Sequence, residues 1–90
     1  MSMNASEFAA VVAGLGKKRG EPISMIDIRS ALDQKNLSRA EQDKAIKQLS
    51  KDGVLVVYPE TRNAFRTKEA DNAAITVGGT KNHLLTLQLL

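Results

Sequence analysis

The stretch SRAEQDKAIKQLSKDGVLVVYPE, residues 38 to 60, decides how this chain is read. Ser38 followed three residues later by Glu41 is a full capping box, in which each side chain satisfies a backbone N–H that the first helical turn leaves open. A helix therefore starts at Ser38. At 100° per residue Gln42, Ala45, Ile46 and Leu49 share one side, which makes that side the core face. The helix ends near Asp52, because Gly53 is the residue expected just past a helix, where positive φ carries no steric strain. VLVVY at 54 to 58 is a continuous β-branched run that Pro59 stops. A helix over residues 38 to 52 thus feeds a strand over 54 to 58 with hardly any loop.

Upstream, Ser6 and Glu7 precede Phe8, Val11, Val12 and Leu15, an apolar stripe that predicts a helix over about 7 to 16. KKRGEP at 17 to 22 reads as a loop punctuated by Gly20 and Pro22, and Ile23 as a very short extended piece. Ser24 with Asp27 is an imperfect capping box, and Met25, Ile28, Ala31 and Leu32 give a second helix over about 25 to 34. Downstream, HLLTLQLL at 83 to 90 alternates, with Leu85, Leu87 and Leu89 on one face and Leu84, Thr86, Gln88 and Leu90 on the other. It is the expected antiparallel partner of 54 to 58. Residues 59 to 82, between those strands, are too many for an ordinary hairpin loop. Thr67 can cap a short helical turn through Ala74, with Glu69 and Asp71 near its start and Gly78 and Gly79 turning the chain back.

Ninety residues fit one domain, expected over 1 to 90 with 1 to 5 disordered. The chain has no cysteine, which excludes a disulfide framework and a thiolate metal site and points to an intracellular, cytoplasmic protein. FAAVVAGLG at 8 to 16 is too short to span a bilayer, and the basic cluster follows it, whereas a signal peptide carries charge in front. The formal net charge is +3 and the sequence pI about 9.5, which leans toward a polyanionic partner. Aromatics are only 3% of the chain, so platforms that stack unpaired bases are disfavoured and duplex DNA is the expected nucleic acid.

The succession helix, short extended piece, helix, helix, strand, long connection, strand resembles a winged-helix domain, a helix-turn-helix variant. The resemblance rests on PISMIDIRSAL for the second helix, LSRAEQDKAIKQLSKDG for the third, VLVVYP for the strand that opens the wing and HLLTLQLL for the strand that closes it. The chain is also similar to small bacterial winged-helix proteins that end in GG, a few residues, then HLL. What this implies is an α+β fold of three helices and a two-stranded antiparallel β-wing with a long connection. It also implies a DNA-binding transcriptional regulator that places its third helix in the major groove, commonly as a homodimer. The long connection, and Glu41 and Asp43 in the first half of the third helix, favour the other use of such folds, a protein-protein interaction module.

Opposite the core face of the third helix, Ala40, Lys44, Lys47 and Lys51 form a stripe spanning roughly 10 Å at 1.5 Å rise per residue, suited to a phosphate backbone. Lys lacks the fork that grips guanine edges, so Arg39 and Gln48 are the candidates for base contact. Arg62, Arg66, Lys68 and Lys81 add charge in the connection, and Lys17, Lys18 and Arg19 could also touch a backbone. The plain alternative is a solvated surface helix, with Asp43 and Lys47 as an i, i+4 pair. Leu84, Leu90 and the apolar first helix offer more greasy surface than a chain this size easily hides, which also suits a homodimer.

No enzyme is expected. GGTK at 78 to 81 lacks the rest of a phosphate-binding loop and reads as a turn. His83 is the lone histidine and reads as a wing residue that donates to a phosphate or a carbonyl, so neither a metal nor a cofactor is expected. Glu60 and Glu69 have no apolar pocket in view that would raise a carboxyl pKa for acid-base work.

Overall fold

The computed structural model describes residues 3 to 88. Its third helix, Arg39–Lys51, opens as the capping box requires: the Ser38 hydroxyl accepts from the Glu41 N–H at 3.1 Å, and Glu41 Oε1 accepts from the Ser38 N–H at 2.9 Å. It closes on Gly53, whose φ of 79° lets the Gly53 N–H reach the Ser50 carbonyl and the Val54 N–H reach that of Leu49. Leu49 and Val54 are both buried, so this C-cap turns the chain directly into a strand, Leu55–Tyr58.

The first helix, α1 (Ala5–Gly14), starts earlier than its apolar stripe suggested. Asn4 and Glu7 form a capping box of their own, with the Asn4 side chain accepting from the Glu7 N–H at 2.8 Å. Met3 packs against the core. The expected disordered run over 1 to 5 therefore gives way at residues 3 to 5, and residues 1 and 2 lie outside those described. After β1 (Ile23–Ser24), the helix α2 (Met25–Asp33) is capped by the Ser24 side chain, which accepts from the Ile26 N–H. The helix Arg39–Lys51 is then α3, and Leu55–Tyr58 is β2.

Residues 59 to 82 are a folded insertion. They form a 3₁₀ turn (Asn63–Phe65), a short helix α4 (Lys68–Ala73) capped by Thr67, and a hairpin of β3 (Ile75–Val77) and β4 (Thr80–Asn82). The hairpin turns through Gly78 and Gly79 at φ 60° and 81°, positive values at both central residues, as tight hairpin turns of this hand demand. The last strand, β5 (Leu84–Leu87), lies in the centre of a three-stranded antiparallel sheet of order β1-β5-β2. Leu55 pairs with Leu87 and Val57 with Leu85, as the alternation of the tail predicts, and on the other edge Ile23 pairs with Leu85.

The expected two-stranded pairing is thus corrected to a three-stranded antiparallel sheet, and the long connection to an insertion with a hairpin and a helix of its own. β1 is only two residues long, too short to show a period in sequence, yet Ile23 is fully buried against β5.

One core takes Phe8, Val11 and Val12 from α1, Met25, Ile28 and Leu32 from α2, and Ile46 and Leu49 from α3. Val54, Leu55, Leu85 and Leu87 join from the strands, and Ala73 and Ile75 from the insertion. Each fully buried large aliphatic stabilises by about 1.5 to 3 kcal/mol relative to exposure, and Ile75 supplies that anchor for the insertion. Leu89 and Leu90 lie outside the described residues. No helix among the described residues is long and apolar enough to cross a membrane.

Candidate nucleic-acid interface

α3 turns Gln42, Ala45, Ile46 and Leu49 into the core, and the stripe opposite them carries exposed Ala40, Lys44, Lys47 and Lys51. The three lysines make no ion pair with any described residue. The carboxylates around them are committed elsewhere. Glu41 closes the capping box, and its bonds to Ser38 hold its carboxyl below the usual carboxylate range. Asp52 accepts from Gln48 Nε2 at 3.0 Å. Asp43, expected as the i, i+4 partner of Lys47, instead sits 2.7 Å from an Arg29 guanidinium nitrogen.

Arg29 is the residue the sequence reading missed. It is only 5% exposed and stands at the junction of α2, α3 and the insertion. Its Nε donates to the Ala73 carbonyl at 2.9 Å, and its other nitrogens donate to Gln42 Oε1 at 3.2 Å and the Ala74 carbonyl at 3.4 Å. Burial lowers its pKa from the ordinary guanidinium value, and the bond to Asp43 pushes back. Gln42, 1% exposed, passes the network on by donating to Asp33 Oδ1 at 2.6 Å and to the Leu37 carbonyl at 3.0 Å. The signal was present in sequence: Arg29 lies four residues after Met25 and three before Leu32, within the apolar stripe of α2. A cation there requires a buried acceptor set.

The two candidates for base contact are both engaged. Arg39 donates through its guanidinium to the Asn72 carbonyl of α4, and Gln48 is bonded to Asp52.

In the insertion, Arg62 is locked. Its Nε and a terminal nitrogen meet the two Glu60 oxygens at 3.1 and 3.2 Å, its backbone N–H donates to Glu60 Oε1 at 2.9 Å, and its guanidinium lies 4.4 Å from the Phe65 ring centre. Glu60 is buried, and the Arg62 bonds hold its carboxyl below the usual range. Arg66 is 3.6 Å from Asp71 Oδ1. Lys68 and Lys81 are exposed.

His83 is not the wing residue expected. It is 2% exposed, with Nδ1 accepting from the Glu60 N–H at 3.1 Å, which leaves Nε2 to carry the proton it shares with Asp71 Oδ1 at 2.6 Å. A buried ring with both nitrogens used cannot reach a phosphate. It is a brace between the start and the end of the insertion, and its bond is the main reason that the Asp71 carboxyl lies below the usual range.

The cations are divided between the two ends of the sheet. The insertion leaves from Tyr58 and returns at Leu84, which pair with each other. The Lys17, Lys18 and Arg19 loop lies at the other end, where the Gly20 N–H donates to the Leu87 carbonyl beside Leu55. Compared with known proteins, the chain matches no family model, no curated protein and no solved structure.

Proposed function

We propose that the protein binds double-stranded DNA as a small winged-helix module, with α3 lying in the major groove and Lys44, Lys47 and Lys51 on the phosphates. The observation that carries this reading is the row of three exposed ammonium groups, each without a carboxylate partner among the described residues. Their charge is available to an outside polyanion because Glu41, Asp43 and Asp52 already have partners. The succession of elements and the sheet order β1-β5-β2, with α3 running straight into β2, support the winged-helix assignment. Of the connection's cations, Lys68 and Lys81 remain for the backbone, since Arg62 and Arg66 face carboxylates within the insertion. A homodimer would present two such helices, and transcription is the process on which such modules commonly act.

One observation favours a second reading, a protein-binding module. Phe65 is 58% exposed and Ile26 38%, and both line one groove with Ala64 and Leu84.

Charge reversal separates the two. Lys44→Glu with Lys47→Glu should abolish duplex binding in a gel-shift or anisotropy assay and leave the melting curve in place, because both positions are exposed. Undiminished duplex affinity in that variant would remove α3 as the contact surface.

A further inference from the structure

We infer that the protein grips duplex DNA without reading its sequence, a conclusion that rests on the DNA-binding reading and specifies its substrate class. Base pairs are read most sharply by directed donors or acceptors, such as a guanidinium fork or a side-chain amide, free at the surface that enters the groove. In a reader helix those groups lie mostly in the N-terminal half. Here that half has none to spare. Arg39 is held by the Asn72 carbonyl. Ala40 offers only a methyl group. Glu41 is consumed by the capping box. Gln42 is buried and bonded to Asp33, Leu37 and Arg29. Asp43 neutralises Arg29.

The second half repeats the pattern. Gln48, its amide, is tied to Asp52, while Lys44, Lys47 and Lys51 are unpaired among the described residues. In the insertion the Arg62 fork is closed on Glu60 and lies over Phe65. On α3 the groups with directional chemistry therefore already have partners within the molecule, and those left open are compact charges that any phosphate backbone can use. α4 reinforces this, because an Arg39 that turned toward a base would leave the Asn72 carbonyl without that donor.

The test is a selection from duplexes with a randomised core, followed by anisotropy titration of AT-rich, GC-rich and mixed duplexes at one salt concentration. The expected result is that no motif is enriched and the dissociation constants agree within about three-fold, far below the roughly 1,000-fold or more typical of specific binders. A motif bound about ten-fold or more tightly than the pool would overturn the inference and leave DNA binding intact, since even one well-read base pair is worth that much. A double variant probes the candidate readers directly. Arg39→Ala with Gln48→Ala should change affinity for all three duplexes by the same small factor, and a loss confined to one sequence would identify these residues as readers. If the folded protein binds none of the pool at low salt, the DNA-binding reading itself falls, and this inference with it.

Discussion

The α3 stripe and the insertion carry similar numbers of cations, and the structure treats them in opposite ways. On α3, Lys44, Lys47 and Lys51 follow helical spacing on the face away from the core, where no carboxylate shares the stripe. In the insertion, Arg62 and Arg66 stand within reach of Glu60 and Asp71, and each guanidinium meets one at the surface. A fork with several fixed donors closes readily on a carboxylate nearby in the chain, whereas an ammonium group on a flexible stem stays hydrated. Charge counted along a sequence therefore overstates the binding surface of the insertion. The available surface is set by which cations lack a local partner.

The largest effect should come from the residue that joins the two regions. Arg29→Ala would leave Asp43, Gln42 and the Ala73 and Ala74 carbonyls without their shared donor. Breaking a buried pair costs about 3 to 5 kcal/mol, and the lower end applies because Asp43 is partly solvated. Urea denaturation measures it. A loss under about 1 kcal/mol, the scale of an exposed pair, would mean that the Arg29 network does not hold the insertion.

Arg62→Ala comes next and sharpens the contrast with α3. It removes the partner of a buried carboxylate and the stack on Phe65, so the melting temperature should fall, while duplex affinity stays within about two-fold because its charge was already neutralised. A large affinity loss would place Arg62 among the DNA contacts.

The smallest effect is expected in acid. Glu41, Glu60 and Asp71 have carboxyl pKa values lowered in the folded protein, by Ser38, Arg62 and His83 respectively. A folded pKa below the unfolded one stabilises the protein above the unfolded value, about 4, and that contribution disappears as the pH falls through the folded value. Stability should thus hold from neutral pH down to that region and decline below it. Asp71→Asn should make the decline shallower. Unchanged acid sensitivity in that variant would show that Asp71 does not contribute to the decline.

What could be read in advance follows the range of the forces involved. The run from Ser38 to Tyr58 was legible because a capping box, a 3.6-residue stripe, a glycine C-cap and a β-branched run are local signals that agree with one another. The pairing of 54 to 58 with the tail was legible because alternation fixes register. β1 was legible only as an extended piece, since two residues carry no period. The Val77 to Thr80 turn over Gly78 and Gly79 was visible as a turn, but its strands are three residues each, too short to stand out within the long connection. The α3 lysines could be placed from sequence alone. The commitments of Arg39, Arg62 and Arg66 could not, because each depends on where a partner lands in three dimensions, and Arg29 needed a reading of its place in the apolar stripe. The buried place of His83 was hidden because nothing local indicated that residues 60 and 71 would close around it.

The central claim, that the unpaired lysines of α3 are the contact surface for a polyanionic duplex, is tested most directly by the salt dependence of binding. Fluorescence anisotropy of a labelled duplex, titrated with the full chain at several salt concentrations, gives the slope of log affinity against log salt. Three lysines each meeting a phosphate predict a slope of about −3, at roughly −0.9 per contact on duplex DNA, and steeper if Lys68 or Lys81 joins them. A slope near zero, or no binding at low salt, would contradict the claim.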